Sequence, residues 1–75
     1  MRFEAFSPSL LKTVRKEKKL TQHDLAKVSG VPKDTLALYE QGKVNPSEKQ
    51  LGKLGKALEL FFFAGWPENN PDSHP

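Results

Sequence analysis

Cysteine is absent from this 75-residue chain, and histidine occurs only twice. No disulfide can form, and zinc sites built on thiolates are excluded. His23 and His74 lie too far apart for the spacing of a metal-binding motif, so we expect neither a metal nor a cofactor. A chain of this length buries only about 60–65% of its unfolded surface, which limits what its core alone can stabilise. Small domains usually gain further stability from disulfides, a metal ion or a partner subunit, and of these only a partner subunit remains.

Long hydrophobic runs are lacking as well. The longest, Leu60–Trp66, is far shorter than the ~20 residues that a membrane-spanning helix needs. Residues 1–6 show neither the apolar centre nor the cleavage pattern of a secretory signal. We therefore expect a cytoplasmic protein without membrane association.

Charge of one sign is concentrated in one part of the chain. The net charge is only +3, with a pI near 9.3. Residues 1–58 carry all 12 basic side chains and six acidic ones, whereas residues 59–75 carry three acidic and no basic ones. The body of the chain, at +6, can neutralise phosphate groups, but its acidic end cannot.

The periodicity of the apolar residues predicts four short helices. The first covers residues 7–20 and begins at Ser7-Pro8, where serine caps and proline suits the first turn. The second begins at Thr21 with a capping box, and the third follows Val31-Pro32. The predicted inward residues of these three helices are Leu10, Leu11, Val14, Leu25, Ala26, Val28, Leu36 and Tyr39.

Glycine and serine mark the remaining helix ends. Gly30 and Gly42 follow the second and third helices, because a left-handed residue there costs least at glycine. Ser47 and Gln50 form a capping box that opens the fourth helix, which Gly52 and Gly55 weaken by about 1 kcal/mol each. Its predicted inward residues are Leu51, Leu54, Ala57 and Leu58.

The aromatic segment after the fourth helix predicts a short β-strand. It is bounded by Gly65 and Pro67, which favours a strand over a helix; an extension of the fourth helix or a fifth helix is the alternative. A single strand needs a partner, and we expect the same strand of a second subunit. Phe61 and Phe63 then face one side and Phe62 the other. The predicted dimerisation residues are Leu60, Phe61, Phe62 and Phe63.

Four segments result from this interpretation. They are an N-terminal arm (1–6), a helical domain (7–59), an apolar dimerisation strand (60–66) and an acidic tail predicted to be disordered (67–75).

Two helices joined by Ser29-Gly30-Val31 form a candidate helix–turn–helix motif from Gln22 to Gln41. Alanine in the first helix allows a close crossing, and Val31 places the turn in the core. The combined pattern is Thr21-Gln22-x-x-Leu25-Ala26-x-x-x-Gly30-Val31-x-x-x-x-Leu36-x-x-x-Glu40-x-Gly42.

On these residues, the segment Leu11–Leu60 resembles the lambda-repressor/Cro-type (XRE-family) helix–turn–helix domain. The resemblance implies an all-α fold, a bundle of four or five helices, here with the C-terminal strand added. It also implies that residues 32–41 form the recognition helix, which enters the major groove of DNA. Members often pair an arginine of the first helix with a glutamate that ends the recognition helix, and Arg15 and Glu40 occupy those positions; two solvated charges are the alternative.

The same resemblance assigns the DNA-binding residues. Gln22 would bind a phosphate at a helix N-terminus, and Lys43 would position the protein without reading sequence. Lys33 could donate to guanine, and Ala37 or Leu38 could meet a thymine methyl group. Pro32 and Asp34 depart from the family pattern; Asp34 could accept from cytosine or cap the helix. The full predicted set is Gln22, His23, Lys33, Asp34, Thr35, Ala37, Leu38, Lys43 and Asn45.

The end of the chain is similar to HipB-type antitoxins, on Ala57-Leu58-Glu59-Leu60 followed by the strand. That resemblance implies a homodimer that represses its own operon at an inverted repeat and binds a kinase-like toxin, with Trp66 as a candidate contact. A phage-type Cro or repressor regulator, or an interaction module that no longer reads DNA, are the alternatives. No enzyme is expected, because His23-Asp24 is the only compact histidine–carboxylate pair and falls in the first turn of a short exposed helix.

Overall fold

The computed structural model describes residues 2–64, which form four α-helices between two short strands. The elements are β1 (Arg2–Ala5), α1 (Pro8–Glu17), α2 (Gln22–Ser29), α3 (Lys33–Gln41), α4 (Glu48–Leu58) and β2 (Leu60–Phe63). The four predicted helices and the predicted strand are confirmed, and no fifth helix forms among residues 2–64. The predicted disordered tail and Trp66 lie outside the described residues.

Side-chain caps begin three of the helices. Ser7 Oγ accepts a hydrogen bond from the Leu10 amide at 3.0 Å. Thr21 and Asp24 form the complete capping box that their spacing predicts, with bonds of 3.0 and 3.1 Å. At Ser47 only half of the predicted box forms: its Oγ accepts from the Gln50 amide at 3.2 Å. The buried Gln50 Oε1 finds no hydrogen-bond partner among residues 2–64.

The first helix ends earlier than its sequence pattern predicts. α1 stops at Glu17 rather than near residue 20, because Lys19 takes a left-handed conformation with φ of 60°. The Lys19 and Leu20 amides then donate to the carbonyls of Lys16 and Arg15 at 2.8 and 3.1 Å. This is a Schellman arrangement, which satisfies carbonyls at a helix end.

One core joins all four helices and β2. Val28 was expected to face it, but that prediction is wrong: Val28 is 61% exposed. At 100° per residue, Val28 lies on the far side of Leu25 from Ala26, and those two residues define the inward face of α2. The buried hydrophobic side chains are Phe6, Leu11, Val14, Leu25, Val31, Leu36, Tyr39, Leu51, Leu54, Leu58 and Leu60.

The two strands form a parallel pair within one chain. Phe3 lies opposite Phe61 and Ala5 opposite Phe63, and the Phe6 amide donates to the Phe63 carbonyl at 2.7 Å. The segment 1–6, interpreted from the sequence as an N-terminal arm, therefore contains a strand. Four residues are too short a pattern to reveal one, and a parallel pair needs the long crossover that the helices supply.

The side chains of β2 alternate between two faces as predicted. Phe62 packs inward, edge to face on Phe6, with ring centroids 5.5 Å apart. Phe61 and Phe63 point outward and are each 52% exposed, and Phe3 stacks on Phe61 at 4.9 Å. The small sheet therefore has an outer face of aromatic rings.

β2 packs closely on α4 because Gly55 has no side chain. A Cβ built at Gly55 would overlap the carbonyl oxygen of Leu60.

None of the helices in residues 2–64 is long and apolar enough to cross a membrane.

Candidate nucleic-acid interface

The junction between α2 and α3 fixes the angle between these helices. Gly30 ends α2 with φ of 79°, a left-handed conformation that glycine adopts at little cost. The next residue, Val31, is fully buried, and its amide donates to Ser29 Oγ at 3.1 Å. A buried residue directly after a tight turn holds α3 against the core in one orientation.

Opposite faces of α3 have different environments. Leu36 and Tyr39 are buried, at 0% and 4% exposure. At 100° per residue, the residues opposite them form one outward face. We call this the α3 outer face; it consists of Asp34, Ala37, Leu38 and Gln41, with the exposed Lys33 at its edge.

The structure changes the predicted set of DNA-facing residues on α3 at two positions. Gln41 was missed by sequence analysis, although its spacing of three residues from Leu38 places it on the α3 outer face. Thr35 is half-buried and lies about 120° from the middle of that face. The structure therefore places Gln41 better than Thr35 for contact with a ligand on this side.

The start of α3 has no side-chain cap. Pro32 occupies the N-cap position, and no side chain accepts a hydrogen bond there. The alternative that Asp34 caps the helix is therefore wrong: it lies in the first helical turn and is exposed. Its carboxylate is left on the α3 outer face beside Lys33.

An ion pair joins α1 to the end of α3. Arg15 Nε and its second terminal nitrogen donate to the two carboxylate oxygens of Glu40 at 2.7 and 3.1 Å. The remaining terminal nitrogen donates to the Leu20 carbonyl at 2.7 Å. The two side chains are only 9% and 5% exposed. This bidentate geometry is the strongest form of an arginine–carboxylate pair. It fixes the relative orientation of the two side chains as well as the distance between them.

Gln22 takes part in the same network. Its side-chain amide donates to Glu40 Oε1 at 3.1 Å, so Glu40 accepts from residues of α1 and α2 while belonging to α3. The amide group of Gln22 has a second N–H and a carbonyl oxygen for other partners. The structure thus gives Gln22 a positioning contact that its sequence position did not predict.

The remaining predicted residues lie at the surface on two segments. His23 is exposed in the first turn of α2. Lys43 and Asn45 are exposed in the segment after α3, where Gly42 adopts φ of 75°. The Lys43 amide donates to the Leu38 carbonyl at 3.0 Å, which ties this segment to the end of α3.

Local contacts stabilise the ionised form of Asp24 at the start of α2. Hydrogen bonds from the Thr21 backbone and side chain hold the pKa of Asp24 below its ordinary value near 3.8. The carboxylate therefore stays ionised at the α2 N-terminus, where the helix dipole favours negative charge. Among residues 2–64 there is no cluster of side chains that could hold a metal ion.

Comparison with known proteins agrees with this geometry. The helix-turn-helix (HTH_3) family model matches residues 11–60, the segment on which the sequence resemblance rests. The chain belongs to the HTH_3 family. Among solved structures, an HTH_3 family transcriptional regulator from Vibrio cholerae is 32% identical, with a TM-score of 0.68 over 71% of this chain and 30% of that one. This HTH_3 chain thus spans less than a third of the length of that regulator. A search of curated proteins finds no match to this chain.

Proposed function

We propose that this chain is a sequence-specific DNA-binding transcriptional regulator that acts as a repressor. The observation that carries the proposal is the α3 outer face, held by the buried pair of Arg15 and Glu40. A helix that presents polar and apolar side chains outward on a rigid support has the form needed to enter a major groove. The similarity to a transcriptional regulator of the same family supports this choice.

The exposed groups divide into those that position the protein and those that read bases. Lys43, Asn45 and His23 would contact phosphates and set the register. On α3, Lys33 can donate to guanine and Leu38 can contact a thymine methyl group, while Asp34 can accept only from cytosine. Ala37 and the added Gln41 complete this face. We propose that Gln22 both contacts a phosphate and supports Glu40.

We propose further that the chain is a homodimeric antitoxin of the HipAB type that represses its own operon. It would act in the cytoplasm. The support is the aromatic strand β2, of which Phe61 and Phe63 are about half exposed. In this proposal β2 joins two copies and a kinase-like toxin is a further partner. Trp66, the candidate toxin contact, lies outside the described residues.

Selection from random-sequence duplexes, followed by footprinting, tests the DNA-binding proposal. A two-fold dimer predicts an inverted repeat with half-site centres about 34 Å apart, one helical turn. Replacing Lys33 with alanine should lower affinity for the selected site, whereas the matched variant Lys53→Ala on α4 should bind as the wild type does. If no repeat is selected and random DNA binds equally well, the chain is not a sequence-specific regulator.

A protein-interaction module is the second candidate, favoured by the carboxylate of Asp34 on the face that would meet a polyanion. The double variant Gln22→Ala, Lys33→Ala separates the two. A regulator loses DNA binding and repression of a reporter operon in this variant. An interaction module shows no change in either measurement, because it does not use these residues.

A further inference from the structure

A groove lies between α4 and β2, with a volume of about 320 Å³. It is bounded on the α4 side by Leu51, Gly52, Gly55 and Lys56, and on the β2 side by Leu60–Phe62. Its lining is apolar or glycine except for Lys56. A mainly apolar pocket of about 300–1,000 Å³ with a single polar group is typical of binding sites in proteins. No residue of α3 lines the groove, so the proposed DNA contacts do not use it.

Gly52 has no role within residues 2–64 that accounts for it. It is exposed in the middle of α4, its φ is not positive, and a Cβ built there meets nothing within 4 Å. Gly55, in contrast, must lack a side chain for Leu60 to approach α4. Glycine weakens a helix relative to alanine. The space beside Gly52 is therefore available to a group from outside residues 2–64.

Three lysines border the groove on the exposed side of α4. At 100° per residue, Lys49, Lys53 and Lys56 lie within about 60° of one another around the helix, and Gly52 lies about 40° from Lys56. All three lysines are exposed, and no carboxylate among residues 2–64 forms an ion pair with them. This border of the groove therefore favours an occupant that carries negative charge next to an apolar group.

The chain supplies an occupant of this chemistry directly after β2. Residues 65–68 read Gly-Trp-Pro-Glu and include the only tryptophan of the sequence, Trp66. Its indole ring is large and mostly apolar, as the lining of the groove is. Glu68 supplies a negative charge, and no lysine or arginine occurs in residues 59–75. Trp66 thus matches the groove, and Glu68 matches Lys56 at its border.

The groove is within reach of this segment. Phe62 lines the groove, and Trp66 follows it by four residues, which span at most about 14 Å when extended. Gly65 allows the chain to reverse, because glycine adopts left-handed and right-handed conformations about equally well. Pro67 favours a turn. Such a short connection gives an effective concentration on the order of millimolar, which favours the groove of the same chain over that of another copy.

We propose that Trp66 docks in the groove of its own chain, beside Gly52, and that Glu68 pairs with Lys56. The inference goes beyond the proposed function, since it requires neither DNA nor a second copy. It gives the exposed helical glycine of α4 a role, which is to leave room for an aromatic ring. A toxin that contacts Trp66 would first have to displace it from the groove.

Tryptophan fluorescence of the full 75-residue chain tests the docking, because Trp66 is the only tryptophan. Acrylamide should quench Trp66 several-fold less in the folded wild type than in the urea-unfolded chain. Gly52→Leu fills the groove without a clash among residues 2–64, and should raise quenching to the level of the unfolded chain. The control Lys12→Leu places a leucine at an exposed position of α1, away from the groove, and should keep the wild-type quenching.

Reversal of charge tests the pairing of Glu68 with Lys56. Lys56→Glu should lower the ratio of docked to released chains by about 2- to 5-fold, as expected for the loss of an exposed ion pair. Adding Glu68→Lys should restore the ratio, because the two charges are again opposite. Lys12→Glu makes the same change in net charge and should leave the ratio unchanged. If the double variant is not restored, Glu68 does not pair with Lys56.

Three results would overturn the docking itself. Full quenching of Trp66 in the folded wild type shows that the ring is not docked. Equal protection in the wild type and in Gly52→Leu places the ring elsewhere, and loss of protection in Phe3→Ala would then place it on the aromatic face of the sheet. Protection that falls on dilution places Trp66 in the groove of a second copy. Circular dichroism melting shows that each variant is folded, and DNA affinity of the same samples reports the proposed function independently.

Discussion

The guanidinium of Arg15 and the carboxylate of Glu40 meet through two parallel hydrogen bonds of 2.7 and 3.1 Å, although 25 residues separate them in the chain. With Gln22 as a third member, the pair links α1, α2 and α3 at the end of the proposed recognition helix. Burying two charges is favourable only when the geometry is good and other polar atoms are satisfied. Both conditions hold here.

Removing one partner of this pair should be strongly destabilising. We expect Arg15→Ala to cost about 3–5 kcal/mol of the free energy of unfolding, because it leaves Glu40 buried and uncompensated. Arg15→Lys should not restore the lost stability, since an ammonium group cannot form the bidentate hydrogen bonds that a guanidinium forms. Urea denaturation of the purified variants measures both values.

The double variant Arg15→Met, Glu40→Leu is the control for this prediction. Replacing both charges with apolar side chains of similar size is often neutral or stabilising, so most of the loss should be recovered. Equal loss in the double variant and in Arg15→Ala would show that side-chain packing, and not the buried charge, accounts for the destabilisation.

The salt dependence of DNA binding should identify the phosphate contacts. Each lysine that neutralises one phosphate contributes about one counterion to the slope of log affinity against log salt. We expect Lys43→Ala to reduce that slope by about 1 and to weaken binding to all sequences alike. Fluorescence anisotropy at several salt concentrations measures the slope. An unchanged slope would place Lys43 away from the phosphates, and Lys53→Ala is the matched control.

Helix ends were the part of the fold that local sequence described best. Thr21 with Asp24, Gly30 and Gly42 each act within a few residues, so their effects can be predicted without knowledge of the tertiary structure. The parallel pairing of β1 with β2 depends on residues about 58 positions apart, and nothing in Arg2–Ala5 alone reveals it. The same limit applies to Gln22, whose contact with Glu40 arises only when α2 and α3 pack together.

The left-handed residue at the end of α1 offers a stabilising substitution. Lys19 has φ of 60°, a conformation that costs a side-chain-bearing residue about 1 kcal/mol. Lys19→Gly keeps both Schellman hydrogen bonds, which use backbone atoms, and should raise stability by about 0.5–1 kcal/mol. Thermal denaturation checks this value. Lys12→Gly, at an exposed position inside α1, should lower stability by about 1 kcal/mol, and a gain there would contradict the argument.

Acid sensitivity should trace to two exposed carboxylates. A hydrogen bond and the charge of Lys18, 2.8 Å away, hold the pKa of Glu59 below its ordinary value near 4.5. The pKa of Asp24 is held below 3.8 by hydrogen bonds from Thr21.

A carboxyl whose pKa is lower in the folded chain stabilises the fold above the unfolded pKa, and that stabilisation is lost as pH falls through the folded pKa. These two groups should therefore contribute a constant stabilisation at neutral pH, and stability should fall as the pH drops below about 4.5. Asp24→Asn keeps an acceptor for the Thr21 amide but cannot titrate, so with Glu59→Gln it should flatten the decline below that pH. NMR titration of the two carboxyl carbons, combined with unfolding curves at each pH, measures this. If the double variant loses stability as steeply as the wild type, other carboxylates cause the acid sensitivity.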